Sequence, residues 1–329
     1  MDTCPLIFEP ILKPKIWGGR RLEVLLGKPL PPEVAIGESW EVADLEGDQS
    51  VVRDGPARGK TLGQLVTEWG SGLLGSAGLF EGRFPLLIKY LDAQEHLSVQ
   101  VHPDEAMARR LGGNVRVKDE AWYVVAAEQD GCIYRGFRSG VTREGFVAAI
   151  EEGAVESTLN RIPVKPGQCY FLPSGTVHAL GAGVLVAEVQ TPSDITYRVY
   201  DWDRTDPATG IGRDLHVPEA LECASFDPVD GAAEKRSHVA DVWTTVTRLV
   251  RSDSFIIERV RMAEGMNQLL SLARLVIWMV LEGKGRIKFS GSGDPCEFGP
   301  GDSVVFPAGL GDCHVETEAD CALLEVTLP

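Results

Sequence analysis

The stretch LSVQVHPDE, residues 97–105, alternates apolar and polar side chains for six positions and halts at Pro103. Alternation with period two marks a strand whose two faces meet different surroundings. It sends Leu97, Val99 and Val101 to one side and Ser98, Gln100 and His102 to the other. The second set is polar without being highly charged, which suits the lumen of a small β-barrel that holds a metal or a ligand. An edge strand turning the same face to solvent fits the alternation as well, so the rest of the chain has to decide.

Outward from this strand the pattern stays rich in β-structure. The first forty residues read as strands and turns, and further strands are expected in EAWYVVAAE, GCIYRGF, GQCYFLP, TVHAL, VLVAEVQ and ITYRVYDW, separated by Gly, Pro and Asp turns. Helices are expected over 61–80, where Thr61 is a natural N-cap, over 104–113, where acids open and arginines close the run, within TREGFVAAIEEG, and over 216–226. A polar stretch at 227–238 reads as a linker. An echo lies on either side of it: PGQCYFLPSGTVHAL at 166–180 and PGDSVVFPAGLGDCHVE at 300–316 share a Pro-Gly, a strand, a Pro-x-Gly turn and a following His. Two copies of one β-unit account for the echo and for a length of 329 residues.

The bulk numbers narrow the partners. A formal net charge of -16 argues against nucleic acid or an anionic membrane, since both need a broad basic surface. Any anionic ligand must then meet a local basic pocket. The seven cysteines (Cys4, Cys132, Cys169, Cys223, Cys296, Cys313 and Cys321) are odd in number, scattered and without a CxxC pair, so neither a disulfide framework nor a zinc knuckle is indicated. The N-terminus has no signal-like apolar core, and the longest apolar run, LVIWMVL at 275–281, is too short to span a bilayer. A soluble protein of the reducing cytoplasm is expected.

Chemistry gathers around the opening strand. Glu120 follows His102 in VKDEAWYVV, and His178 lies in PSGTVHAL. Two imidazoles, a carboxylate and the Gln100 amide oxygen form a reasonable ligand set for a divalent metal, with zinc favoured and Mn or Fe also compatible. By spacing alone, two distant histidines out of six can equally be unrelated. His96, His216, His238 and His314 have no such companions and read as surface or core residues.

Together the segments LSVQVHPDE, VKDEAWYVV, PGQCYFLPSGTVHAL and TPSDITYRVYDWDR, in that order and framed by ILKPKIWGG and IGESWEV, resemble the type I mannose-6-phosphate isomerases in their short bacterial form. The spacing of Gly167, Pro173, Gly175 and His178 is similar to the second general cupin motif; the first motif departs from the usual pattern in having Gln100 where its first His stands, as these isomerases do. The resemblance implies a mainly β fold of two cupin-type (jelly-roll) barrels with a small helical insertion. A catalytic domain over 1–226, the linker over 227–238 and a metal-free domain over 239–329 are then expected. It implies that Gln100, His102, Glu120 and His178 hold one zinc per chain, and that Arg198 is the active-site arginine.

The implied reaction interconverts mannose 6-phosphate and fructose 6-phosphate, a small phosphosugar substrate, with the metal polarising the carbonyl and hydroxyl oxygens of an enediol-type intermediate. Arg198 shares a strand face with Thr196 and Tyr200, and an inward Arg needs an anionic partner, which a sugar phosphate provides. Lys118, two residues before Glu120, adds a second cation, Ser98 reaches the substrate, and Glu188 and Gln190 line the interior. For the base, Glu188, Asp194, Lys118 and a metal-bound hydroxide are all candidates, with Glu188 preferred for its inward parity and Asp194 next. The rival readings are an Fe(II) oxygenase, a non-catalytic sugar-phosphate-binding cupin and an isomerase of another phosphosugar.

Overall fold

The segment VLVAEVQ, residues 184–190, holds one glutamate and one glutamine among five apolar residues, yet it is buried at every position. Such a strand must be covered on both faces, and the fold does this by stacking sheets in layers. The computed structural model describes residues 3–112, 115–205, 209–229, 232–234, 237–240, 243–290 and 294–329.

Val184–Gln190 lies inside a six-stranded antiparallel sheet with the order Cys169–Leu172, Glu120–Ala127, Val184–Gln190, Leu87–Ala93, Ile36–Val42 and Ile11–Gly19. A five-stranded sheet faces it, ordered Leu159–Pro163, Cys132–Phe137, His178–Leu180, Val99–Val101 and Tyr197–Tyr200. Trp122, Tyr170 and Val186 from the first sheet meet Ile133 and Leu180 from the second in the interior. A second sandwich pairs a seven-stranded sheet centred on Val276–Glu282 and Cys321–Thr327 with a four-stranded sheet centred on Gly311–Thr317 and Gly285–Phe289. Both are jelly rolls of the cupin type, so the mainly β, two-unit architecture expected from the sequence is the observed one.

The two sandwiches pack through the backs of their large sheets. Leu185, Ala187 and Val189 join Ile277, Met279, Leu324 and Val326 in one core cluster, while Val184, Val186, Glu188 and Gln190 turn the other way. The strand Leu6–Ile7, at the very start of the chain, pairs with Ser303–Phe306 in the last sheet. The opening residues therefore do not all belong to the first sheet.

Helices from the middle of the chain cover the outer face of the five-stranded sheet, while the earlier ones pack into the core shared with the second sandwich. Val99 and Val101, fully buried, pack beneath Met107 of the helix Glu105–Leu111, Phe146 of Arg143–Glu151, and Ala220 and Cys223 of Val217–Cys223. Asp104 caps the first of these by accepting from the Met107 amide at 2.8 Å. Over 61–80 the chain forms Leu62–Trp69 and Ser71–Leu74, broken at Gly70, with Thr61 and Gln64 in a reciprocal capping box. Of the stretch read as a linker, residues 230–231 and 235–236 lie outside the described residues, as does residue 113 of the expected helix 104–113; the strand Ser237–Ala240 begins inside 227–238. Among the described residues no helix is long and apolar enough to cross a membrane.

Two details of face assignment differ from the alternation rule. The strand begins at Val99, and Leu97 sits in the interior cluster beside Trp122 rather than under the helices with Val99 and Val101. A register shift between Arg198 and Tyr200 likewise takes Tyr200 off the face of Thr196 and Arg198 and packs it against the helical side. Period-two reasoning holds only while the ladder is regular.

Because the shared core belongs to both sandwiches, Ile277→Ala is expected to cost about 2–5 kcal/mol. Urea unfolding of the full chain measures it, and a loss under about 0.5 kcal/mol would show that this contact contributes little.

Candidate metal centre

The register of the strands brings the polar residues together. In the five-stranded sheet Gln100 stands directly between His178 and Arg198, so all three project to one side. In the facing sheet one row reads Leu172, Glu120, Gln190 and Leu87, and the next reads Tyr170, Trp122, Glu188, Lys89 and Trp40. The two polar faces oppose each other across a cavity of about 250 Å³.

At its inner end lie His102, Glu120 and His178, each only 1% exposed. His102 Nε2 is 3.3 Å from Glu120 Oε1, and His178 Nε2 is 3.3 Å from Glu120 Oε2. One ligand atom from each lies within 4.8 Å of the others. Both imidazoles are oriented from behind: Nδ1 of His102 faces the Ile195 carbonyl at 2.9 Å and Nδ1 of His178 faces the Thr176 carbonyl at 2.8 Å. That second contact aims each Nε2 at the centre, as in metal-binding histidines. His102 Nε2 and Glu120 Oε2 are buried yet have no directed hydrogen bond among the described residues. Buried polar atoms without partners are rare, and a divalent cation at their common focus satisfies both. The side-chain nitrogen of Gln100 lies 3.3 Å from His178 Nε2. A flip of the amide, which leaves its outline unchanged, turns its oxygen there instead.

The turn before His178 is clamped in place. The Gly175 amide donates to the His102 carbonyl at 2.9 Å, and the Ser174 amide donates to Asp119 Oδ1 at 2.9 Å. Gly175 has a φ of +83°, and a Cβ there would come within 3.2 Å of the Cys223 carbonyl, so this position of the motif requires glycine.

Charge around the centre is closely balanced. Lys118 Nζ sits 2.8 Å from Glu120 Oε1 with both groups buried. Burial pushes the Glu120 carboxyl up, but the charge of Lys118 above all, helped by hydrogen bonding from the two imidazoles, outweighs it and holds Glu120 well below the usual carboxylate range. Burial, followed by Lys118, lowers His102 to about 3, which leaves the ring neutral and able to act as a ligand. Glu188 behaves oppositely: burial, then the Glu120 charge, raises it to about 7, partly offset by Lys89, Lys118 and the Trp122 indole N–H, which donates to Glu188 Oε1 at 2.8 Å. Glu120 and Glu188 are thus two carboxylates in one cavity whose surroundings drive them in opposite directions, the pattern of an acid–base site.

Most residues expected at the site line this cavity: Ser98, Gln100, Lys118, Glu120, Glu188, Asp194 and Arg198 do, His102 and His178 stand at its inner end, and Gln190 is buried behind the lining rather than part of it. Asp194 is exposed at the mouth. Arg198 is half-buried; its Nη1 donates to the Asp214 carbonyl at 2.7 Å and its Nε has no partner among the described residues. The nearby Asp201 is taken by Arg204 and Arg213 rather than by Arg198. His314 lies exposed on its strand, as a surface residue.

Sequence reasoning passed over Lys89, Glu38 and Arg213. Lys89 is fully enclosed, 3.6 Å from Glu188 and 3.8 Å from Glu38, with its ammonium 4.7 Å from the Trp40 ring centroid. Burial disfavours its charge, but Glu188 and Glu38 outweigh burial and raise it; Lys89 and Lys15 in turn overcome burial at Glu38 and lower it to about 2. A lysine between Ile88 and Tyr90 in the wholly buried strand LIKYLDA was the available signal, because a buried charge needs partners.

The comparisons with known proteins agree with this geometry. The model of the type I phosphomannose isomerase catalytic domain matches residues 6–130. Mannose-6-phosphate isomerase ManA of Bacillus subtilis is 36% identical over 323 residues, covering 98% of each chain. The mannose-6-phosphate isomerase of Streptococcus mutans is 36% identical over 283 residues, 86% of each. The crystal structure of the Bacillus subtilis mannose 6-phosphate isomerase superposes with a TM-score of 0.88 at 33% identity, covering 99% of this chain and 100% of the other.

If the three ligating side chains act as a unit, His102→Ala is expected to reduce bound divalent metal to under about a tenth, while Arg198→Ala keeps it, as each buried ligand contributes tenfold or more in affinity. Elemental analysis of the purified variants decides it, and full metal occupancy in His102→Ala would remove that residue from the centre.

Proposed function

We propose that the cavity divides its work among three sets of side chains, in a chain that belongs to the type I phosphomannose isomerase family and interconverts mannose 6-phosphate and fructose 6-phosphate. The first set, Gln100, His102, Glu120 and His178, holds one zinc ion: two imidazole nitrogens, a carboxylate and an amide oxygen in a buried site favour it over the harder, oxygen-seeking cations. A zinc ion held by these four side chains would supply Lewis-acid polarisation of the sugar's carbonyl and neighbouring hydroxyl, making the proton on C2 easier to remove.

The second set moves the proton. Aldose–ketose exchange takes a proton from one of C1 and C2 and returns it to the other, so one group must serve as base and then as acid. Glu188 fits both roles, because it is enclosed, faces the cavity, and titrates near neutrality, where both forms are accessible. Asp194, exposed at the mouth, is the less suitable carboxylate. Lys89 and Trp122 fix the Glu188 carboxylate from two sides and so determine the direction from which it reaches the sugar.

The third set is cationic. Lys118 and Arg198 face the substrate, Lys118 near the reacting oxygens beside Glu120 and Arg198 toward the mouth, where Arg213 also lines the wall. Five cations against four carboxylates around the cavity make a local anion site on a protein with a net charge of -16. Ser98, on the same wall, is placed to hydrogen-bond a sugar hydroxyl. The observation that carries the reading is the opposite displacement of Glu120 and Glu188 within one cavity.

Glu188→Gln is expected to lower kcat about 10²- to 10⁴-fold with a smaller change in KM, and to abolish exchange of the C2 proton of mannose 6-phosphate in deuterium oxide. A base works ionised, so kcat/KM of the wild type should fall on the acid side as Glu188, raised above the ordinary carboxylate range first by burial, takes up its proton. The Trp122 N–H stabilises the ionised form, so Trp122→Phe should move that fall to higher pH. Near-normal turnover in Glu188→Gln, or an acid limb that stays in place in Trp122→Phe, would assign the proton to another group.

A further inference from the structure

The second sandwich repeats part of the site. Trp122 is the third residue of its strand and Glu188 the fifth of the neighbouring one; Trp278 is the third residue of Val276–Glu282 and Glu325 the fifth of Cys321–Thr327. The first pair sits in the row Tyr170, Trp122, Glu188, Lys89, and the second in the row Val304, Trp278, Glu325, Glu258. The bond is the same: the Trp278 indole N–H donates to Glu325 Oε2 at 2.9 Å, against 2.8 Å for Trp122 and Glu188. Here too the carboxylate borders a cavity, of about 530 Å³.

The cavity has lost the rest of the chemistry. Where Glu120 opens its strand, Val276 opens the equivalent one, and no His lines the wall. Lys89 is replaced in its row by Glu258, whose carboxylate is held by Arg248 at 2.9 Å. The lining sets Glu258 and Glu325 against Arg274, and Arg248 offsets Glu258 from behind, so this wall lacks the excess of cations with which the first cavity meets a phosphate. Burial, reinforced by Glu258, raises Glu325 and disfavours a fixed negative charge, which suits a neutral ligand better than a cationic one. Met262, Met266 and Val260 give the apolar wall against which C–H faces of a sugar can lie.

We propose that the C-terminal sandwich binds an uncharged monosaccharide in this cavity without transforming it, with sugar hydroxyls donating to Glu325 and Glu258. The choice of ligand class rests on Glu188 facing the sugar in the first cavity; the existence of the site does not.

The test is saturation-transfer NMR on the full-length, metal-loaded protein, using ¹³C-labelled D-mannose, D-glucose and D-fructose as probes. Spectra are taken with and without saturating sugar phosphate in the catalytic cavity. The expected result is transfer to at least one sugar that survives the sugar phosphate. It should weaken at least about tenfold in Glu325→Gln, which replaces an acceptor oxygen facing the sugar with a donor amide, and vanish in Met262→Trp, which fills the space. Turnover of mannose 6-phosphate should stay within about twofold of wild type in both, which separates this site from the catalytic one. No transfer to any of the sugars, transfer abolished by sugar phosphate, or transfer unchanged in both variants would each overturn the proposal. So would preferential binding of putrescine, which would mark the cavity as a cation site.

Discussion

An ionised carboxylate enclosed as fully as Glu120 must be compensated where it stands, because water cannot reach it. Lys118 does this from its own chain segment, and two imidazoles approach it from the opposite sheet. Those imidazoles can do so only because the strands Val99–Val101 and His178–Leu180 are neighbours in register and because the turn at Gly175 is tied to the His102 carbonyl. The sandwich is thus closed around a charge that it would otherwise be costly to bury. Burial raises Glu188 and the same charge raises it further, so the His102–Glu120–His178 cluster and the Glu188 end of the cavity are coupled through one residue.

Much of this was legible in the residues. The polar parity of Ser98, Gln100 and His102 fixed the inward face, and the buried apolar parity of Val99 and Val101 requires the helical cover found over them. Where local irregularity breaks the period, parity fails: Leu97 precedes the regular ladder and Tyr200 follows a bulge, and both changed sides. Lys89 and Glu38 were missed for a different reason. Their meaning lies in cross-strand partners on segments fifty or more residues away, and a one-dimensional pattern does not show which strands are neighbours.

The two sandwiches also show what the PGQCYFLPSGTVHAL and PGDSVVFPAGLGDCHVE echo means physically. Cys169–Leu172 and Ser303–Phe306 occupy matching places beside the strands of Trp122 and Trp278, so the echo marks equivalent positions in two jelly rolls. One roll concentrates buried charge around the His102, Glu120 and His178 cluster. The other keeps an apolar interior, and its outer face, with Ile277, Met279 and Val326, backs the catalytic sheet. Packing the apolar backs of two large sheets together lets VLVAEVQ carry Glu188 and Gln190 inward while its alternate residues remain in a dry core.

The chemistry of the cavity depends most directly on turnover requiring the metal. The decisive measurement is a coupled assay of mannose 6-phosphate conversion to fructose 6-phosphate on the purified chain as isolated, after chelation, and after zinc is titrated back. Activity that disappears on chelation and returns in proportion to zinc, saturating at one ion per chain, is the predicted result. Undiminished turnover in protein shown to be metal-free would contradict it.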